Sequence, residues 1–252
     1  MNLKEEIKDF NLSRTGEIDK EDKDRKISNA FKPIAKTILS GHFLIKKNNS
    51  NSFVTVHPTC VEMYYHEEGE GNDKIKDYAV YHRDSNDGKK KEPVFPLGVL
   101  HNHVSGIDLT FERIIGDLPI RFSALIREFW IDKSHKTEEQ NDKMYGKESI
   151  KGFTENAPEK RSTYLYEALY SQYSVFDGFS VQWVDGNEND KKEIRSITTR
   201  LNVAEYEIKD NNDGKGQRPE KVKKDGIAKE QLTKNQNYKQ CPRLWRYSIN
   251  KE

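Results

Sequence analysis

Apolar residues recur at near-helical spacing from position 31 to 45 and then run straight into Phe43, Leu44 and Ile45. That pattern predicts a helix ending around Ser40 and Gly41 and a strand starting near His42. Positions 53–65, FVTVHPTCVEMYY, are rich in β-branched and aromatic residues and predict strand. Pro58 has no N–H to give to a ladder, so a bend or two short strands is expected there. Two polar loops, GEGND and DSNDGKKKEP, flank the short segment DYAVYHR. LGVLHNHVSGIDLTF and IRFSALIREFWI follow, both strand-like, with a turn at Ser105 and Gly106. RSTYLYEALYSQY (161–173) predicts an amphipathic helix with Leu165, Ala168 and Leu169 on one face. GFSVQWV alternates Phe179, Val181 and Trp183 and predicts a strand, and CPRLWRYSI predicts a last one. Residues 1–31 are charged and broken by Ser13, Gly16 and Ser28, and read as a peripheral arm. The remainder, 32–252, reads as one α+β domain with polar insertions at about 132–160 and 207–240. No internal repeat is present.

Composition narrows the partners. The chain has 252 residues, 33% hydrophobic and 34% charged. The hydrophobic share is low for a globular domain, so part of the chain is expected to be solvated loop. Net charge is only +1, so nucleic-acid binding would need local clusters of cations. Residues 215–239 supply one, with eight basic and three acidic residues, and Lys89, Lys90 and Lys91 supply another. Charge runs are usually solvated surface, and that reading stays open for both. Cys60 and Cys241 form neither a zinc spacing nor a disulfide framework. MNLKEEIKDF lacks the apolar run of a signal peptide, and no stretch approaches the ~20 apolar residues of a membrane span. A reduced, cytoplasmic setting and no membrane partner are expected.

Four groups of residues could carry chemistry. On an extended strand Glu62 and Tyr64 point to the same face, and a carboxylate beside an aromatic ring near polar loops can activate water. Taken alone, an E-x-Y is more often a strand-edge acid paired with a lysine. Five of the seven histidines fall within 57–103. His101 and His103, at i and i+2, share a strand face, where they could bind zinc, stack on a base or tune a carboxylate; they could equally be polar residues of a half-exposed strand. Asp108 and Glu112 could complete a metal site, or be a loop acid and a surface acid. Arg127 lies in an apolar run and needs a partner, which favours a structural ion pair.

The order of these segments is more specific than any one of them. AKTILSGHFLI, VEMYY, an isolated His82, VFPLGVLHNHVSG, ALIREF, TTRLNV and PRLWRYSI resemble, in sequence, the alkyladenine (3-methyladenine) DNA glycosylases. The resemblance covers roughly 33–131 and 195–249. It implies a single α+β domain with a mixed, mostly antiparallel curved sheet and surrounding helices. It implies a monofunctional enzyme, with no metal or cofactor, acting as a monomer on double-stranded DNA that contains a modified base. In that scheme Glu62 resembles the general base that deprotonates water for attack on the sugar C1′, and Arg127 resembles an arginine beside the catalytic carboxylate. Tyr64 and His82 resemble residues that hold the flipped base. No lysine occupies a nucleophile position, so an abasic site without strand cleavage is expected. Lys89, Lys90, Lys91, Arg200, Lys221, Lys223 and Lys224 are the expected DNA contacts.

The chain departs from the family where the base would sit. His101, Asn102 and His103 replace tyrosines, Ser105 stands at the position of the duplex-wedging tyrosine with Val104 beside it, and Glu112 falls near the purine-discriminating asparagine. These residues make the expected substrate-binding set more polar. Such a pocket suits a base bearing many hydroxyls, such as the glucosylated hydroxymethylcytosine of phage DNA, and hence an antiviral role. Two other readings compete: a metal-dependent nuclease or hydrolase using His82, His101, His103 and Asp108, and a non-enzymatic nucleic-acid-binding module.

Overall fold

The computed structural model describes residues 2–10, 20–69, 74–77, 80–84, 91–115, 117–137, 158–186, 193–198 and 245–249. Helices α1 (Leu3–Asp9) and α2 (Lys20–Ser40) come first. Strands β1 (His42–Lys47), β2 (Phe53–Glu67), β3 (Val99–His103), β4 (Gly106–Thr110), β5 (Arg113–Ile115) and β6 (Leu118–Asp132) follow. A 3-10 turn (Ser162–Tyr164), α3 (Leu165–Tyr170), β7 (Phe179–Val184), β8 (Ser196–Thr198) and β9 (Arg246–Ser248) complete the order. The result is a single α+β domain around a strongly curled sheet.

Along the main path the strand order is β3-β4-β6-β2-β1-β7, with β5 on β6, β9 on β2 and β8 on β9. Every one of these pairings is antiparallel. The long strands β2 and β6 form the spine. Alternation along them separates two faces. Val61, Met63 and Tyr65 of β2 stand beside Ile126, Ala124 and Phe122 of β6, and all are buried in the main core. Glu62, Tyr64 and His66 stand beside Leu125, Ser123 and Arg121 on the other face.

Helices α1 and α2 cover the apolar face. Phe31 is the centre of this packing, 5.4 Å from Phe122, 5.8 Å from Phe10 and 4.9 Å from Trp245 between ring centroids. The Trp245 indole donates to Ser28 Oγ at 2.7 Å, so the one polar atom of that buried ring has a partner.

Residues 3–10 and 27–31 are therefore no peripheral arm. Leu3, Ile7, Phe10, Ile27 and Phe31 are buried in the core, because a sheet with one apolar face needs a layer to cover it. Pro58 does not split its segment either. β2 runs through it with register shifts between Pro58 and Cys60 and between Cys60 and Val61; a bulge absorbs the missing donor. The expected boundary between α2 and β1 at Ser40 to His42 is observed. Leu165, Ala168 and Leu169 are buried together, as their spacing implied, although the α-helix spans only Leu165–Tyr170. Segment 207–240 lies outside the described residues. No helix among the described residues is long and apolar enough to cross a membrane.

Candidate functional site

The register carries one row of side chains across four strands. Glu62 of β2 is opposite Leu125 of β6, Leu125 is opposite Asp108 of β4, and Asp108 is opposite His101 of β3. Directly opposed residues project to the same side of a sheet. Glu62, Asp108 and His101 therefore share the face away from α1 and α2, with Leu125 between the two acids. Neighbouring strands are spaced about 4.8 Å, which puts the backbones at Glu62 and Asp108 roughly 10 Å apart. Two residues along each strand, Tyr64, Arg127 and His103 fall on this face too. Val80, from the segment before His82, packs with Tyr64 and Leu125 in a small second cluster.

Glu62 has 0% exposure. The Tyr64 hydroxyl donates to its Oε2 at 2.9 Å. Arg127 Nε lies 3.6 Å from its Oε1, an ion pair longer than a direct hydrogen bond. Oε1 has no hydrogen-bond partner among the described residues. A second cation stands close by: Arg246, opposite Glu62 on β9, pairs with Glu128 at 3.2 Å and with the Cys60 sulfur at 3.1 Å. Burial pushes the Cys60 thiol up to about 12 despite Arg246, so it stays protonated and unreactive at neutral pH.

Imidazoles and carboxylates gather at the other end of the row. His82 Nδ1 is 3.8 Å and His103 Nε2 is 3.2 Å from Asp108 Oδ2, and His82 Nε2 lies against Glu112 Oε1. The two histidine–acid contacts that fall within bonding distance are not aligned as hydrogen bonds. His82 Nδ1 and Nε2, His101 Nδ1, His103 Nε2, Asp108 Oδ1 and Glu112 Oε1 are all buried without a hydrogen-bond partner among the described residues. One ligand atom each from His82, His101 and Asp108 lie within 4.8 Å of one another, so these three could hold a metal ion. Aromatic rings enclose the group: Phe95 is 4.5 Å from His101 and Tyr81 is stacked 4.7 Å from His103. Burial, then the neighbouring His82, lowers the His101 pKa and favours its neutral form.

Arg121, at 0% exposure, fixes this end of the site. It donates to Glu68 at 2.8 Å, Asp84 at 2.8 Å and Glu112 Oε2 at 3.1 Å. Its remaining bonds go to the carbonyls of Pro93 and Glu92. The Phe95 N–H also donates to Glu112 Oε2, at 2.7 Å. One guanidinium thus ties the segment bearing His82 and the segment bearing Phe95 to the sheet. Burial alone would raise the Glu68 pKa. Bonds from His66, the Asp84 N–H and Arg121 outweigh it and hold the group at about 2.

The site accordingly joins Glu62, Tyr64, Arg127, His82, His101, His103, Asp108 and Glu112 on one sheet face. Asn102 is not among them. It alternates away from His101 and His103 and is exposed, because neighbouring strand residues face opposite sides. Ser105 sits in the tight β3–β4 turn, where its carbonyl accepts from Ser162 Oγ at 2.6 Å. The turn closes on Gly106 at φ +135°, where a Cβ would meet the Ser162 carbonyl at 3.1 Å. Val104 beside it is exposed. Lys91 pairs with Asp84 at 2.9 Å while its side chain remains open to solvent. Lys89, Lys90, Arg200, Lys221, Lys223 and Lys224 lie outside the described residues. Arg121 and Arg246 were not singled out from the sequence; a charged residue at an inward position of a strand was their one available signal, the same signal that marked Arg127.

Compared with protein-family models, curated proteins and solved structures, the chain matches none. Its functional reading rests on the residues and their geometry.

Proposed function

We propose that this chain is a monofunctional DNA glycosylase that hydrolyses the N-glycosidic bond of a flipped, modified base and leaves an abasic site. The observation that supports it best is Glu62: a buried carboxylate, oriented through Oε2 by Tyr64, with Oε1 accepting no hydrogen bond among the described residues and facing Arg127 at 3.6 Å. A water held between Oε1 and Arg127 would give its proton to Glu62 and form the new bond from its oxygen to C1′. The C1′–N bond breaks, and its electron pair leaves with the base. The ionised carboxylate stabilises the positive charge that develops on the sugar. The nucleotide must first leave the stack, at a cost of a few kcal/mol. Its base would face the polar group of His82, His101, His103 and Glu112 rather than a flat aromatic slot. That polarity favours a hydroxyl-rich base, with glucosylated hydroxymethylcytosine in phage DNA as the leading candidate and antiviral defence as the biological setting.

The test is incubation with variously modified double-stranded DNAs, followed by detection of free base and of alkali-dependent strand cleavage. Release from glucosylated but not from plain DNA is expected, with Glu62→Gln losing release and keeping DNA binding. Equal activity on methylated purines would sink the assignment to a hypermodified base, and full base release by Glu62→Gln would sink the glycosylase itself.

A second reading, a metal-dependent nuclease or hydrolase using His82, His101, His103 and Asp108, is favoured by the 4.8 Å grouping of His82, His101 and Asp108. It differs in requiring a metal for every activity and in tolerating loss of Glu62.

A further inference from the structure

We infer that His82, His101 and Asp108 bind a divalent transition-metal ion, with Glu112 and His103 orienting the ligands. This departs from the metal-free chemistry that the family resemblance implies. It does not depend on Glu62 acting as a base; the hydrolase reading depends on it, not the reverse.

Three observations carry the assignment. The ligand atoms of His82, His101 and Asp108 come together within 4.8 Å from three separate parts of the chain. Ligands bonded at about 2.1 Å stand roughly 3.4 Å apart around a tetrahedral ion, so side-chain rotations of about an ångström would close the site. Among the described residues, His82 and Asp108, at 2% and 3% exposure, each keep a buried side-chain atom without a hydrogen-bond partner, as does His101. A buried polar atom left unpaired costs about 1–3 kcal/mol, and one cation would satisfy all three at once.

The third observation is the arrangement behind them. His82 Nε2 lies against Glu112 Oε1, which leaves Nδ1 as the atom facing Asp108. Glu112 is itself fixed through Oε2 by Arg121 and the Phe95 N–H. The contact places Glu112 where a carboxylate behind a metal-binding imidazole can set its tautomer and orientation. His103 Nε2, 3.2 Å from Asp108 Oδ2, plays the corresponding part for the carboxylate. Two imidazoles and one carboxylate suit Zn²⁺, Fe²⁺ or Mn²⁺ and leave coordination positions open. Mg²⁺ and Ca²⁺ prefer all-oxygen sets. The open positions would face the same side of the sheet as Glu62.

The test uses the full chain stripped with a chelator and titrated separately with Zn²⁺, Mn²⁺, Fe²⁺ (anaerobically) and Co²⁺. One equivalent should bind saturably, raise the melting temperature, and give with Co²⁺ the visible absorption of a nitrogen- and oxygen-ligated ion. His101→Ala and Asp108→Ala should each weaken binding at least 100-fold, and Glu112→Gln about 10–100-fold. Circular dichroism identifies any variant that fails to fold, and the wild-type Co²⁺ spectrum decides the matter without variants. Absence of saturable binding by the wild type overturns the site, as does binding unchanged in both His101→Ala and Asp108→Ala. Base release measured on stripped protein separates this result from the glycosylase reading, which is judged by Glu62→Gln instead.

Discussion

Glu62 Oε1 and Arg127 Nε stand 3.6 Å apart, on neighbouring strands whose register fixes both side chains to one face. The ladder sets Glu62 opposite Leu125, and Arg127, two residues on, returns to Leu125's side. Tyr64 reaches the other carboxylate oxygen from two residues along β2. The carboxylate is thus oriented by side chains whose own positions are set by backbone pairing. A hydrogen bond to a charged group contributes about 1.5–3 kcal/mol. Tyr64→Phe should therefore slow single-turnover base release about 10–100-fold with little change in DNA affinity. An unaltered rate would remove Tyr64 from the catalytic unit.

Arg121 predicts a stability effect. Its guanidinium pairs with Glu68, Asp84 and Glu112. Arg121→Met keeps most of the bulk and leaves three carboxylates without their shared cation. Breaking one side of a buried ion network costs about 3–5 kcal/mol, read as a lower midpoint in urea denaturation. A shift below 1 kcal/mol would mean the acids find other partners.

Glu68 predicts the pH dependence. Its folded pKa, about 2, is below its ordinary value, so the folded state binds the proton more weakly than the unfolded chain. Its stabilising effect is then complete above about pH 4.5 and is lost as pH falls toward 2. The stability gap between wild type and Glu68→Gln should be widest near neutral pH and close across that acidic window. A gap that stays constant from pH 7 to 3 contradicts the assignment.

Strand alternation makes a sharper distinction at β3. Asn102 is exposed and faces away from the imidazoles, so Asn102→Ala should leave stability within about 0.5 kcal/mol of wild type and base release within a factor of two. His103→Ala, which removes a partner of Asp108, should lower base release or metal affinity at least tenfold. Equal effects of the two substitutions would show that the face assignment is wrong.

Phe31 tests the helix layer. Its ring is fully buried among Phe10, Phe122 and Trp245. Phe31→Ala should cost about 3–5 kcal/mol, measured by denaturant unfolding, whereas an α2 that did not pack on the sheet would make the change nearly neutral.

Local patterns were legible in the sequence because they depend only on residue period and backbone chemistry. The Ser40 to His42 boundary, the strand around Glu62, the shared face of His101 and His103, and the buried stripe of α3 all follow from spacing. Asn102 followed from the same rule: as the residue between two same-face histidines it belonged to the opposite face, although the resemblance grouped it with them. Pro58 misled because a bulge can replace the donor that proline lacks. The first 31 residues misled because their charges outnumber the few apolar positions, Leu3, Ile7, Phe10, Ile27 and Phe31, that dock on the sheet.

The sequence by itself determined that this is an α+β chain and that its polar chemistry is concentrated between Glu62 and Arg127, since alternation and composition are local properties. Only the tertiary structure decided that Glu62 and Asp108 lie in one row with His101, that Glu112 is buried against Arg121 rather than a surface acid, and that His82 comes to the β3–β4 hairpin. Those contacts join residues 7 to 63 positions apart in sequence, and they are fixed by strand register and by the segments folded over the sheet, which no single stretch of sequence encodes.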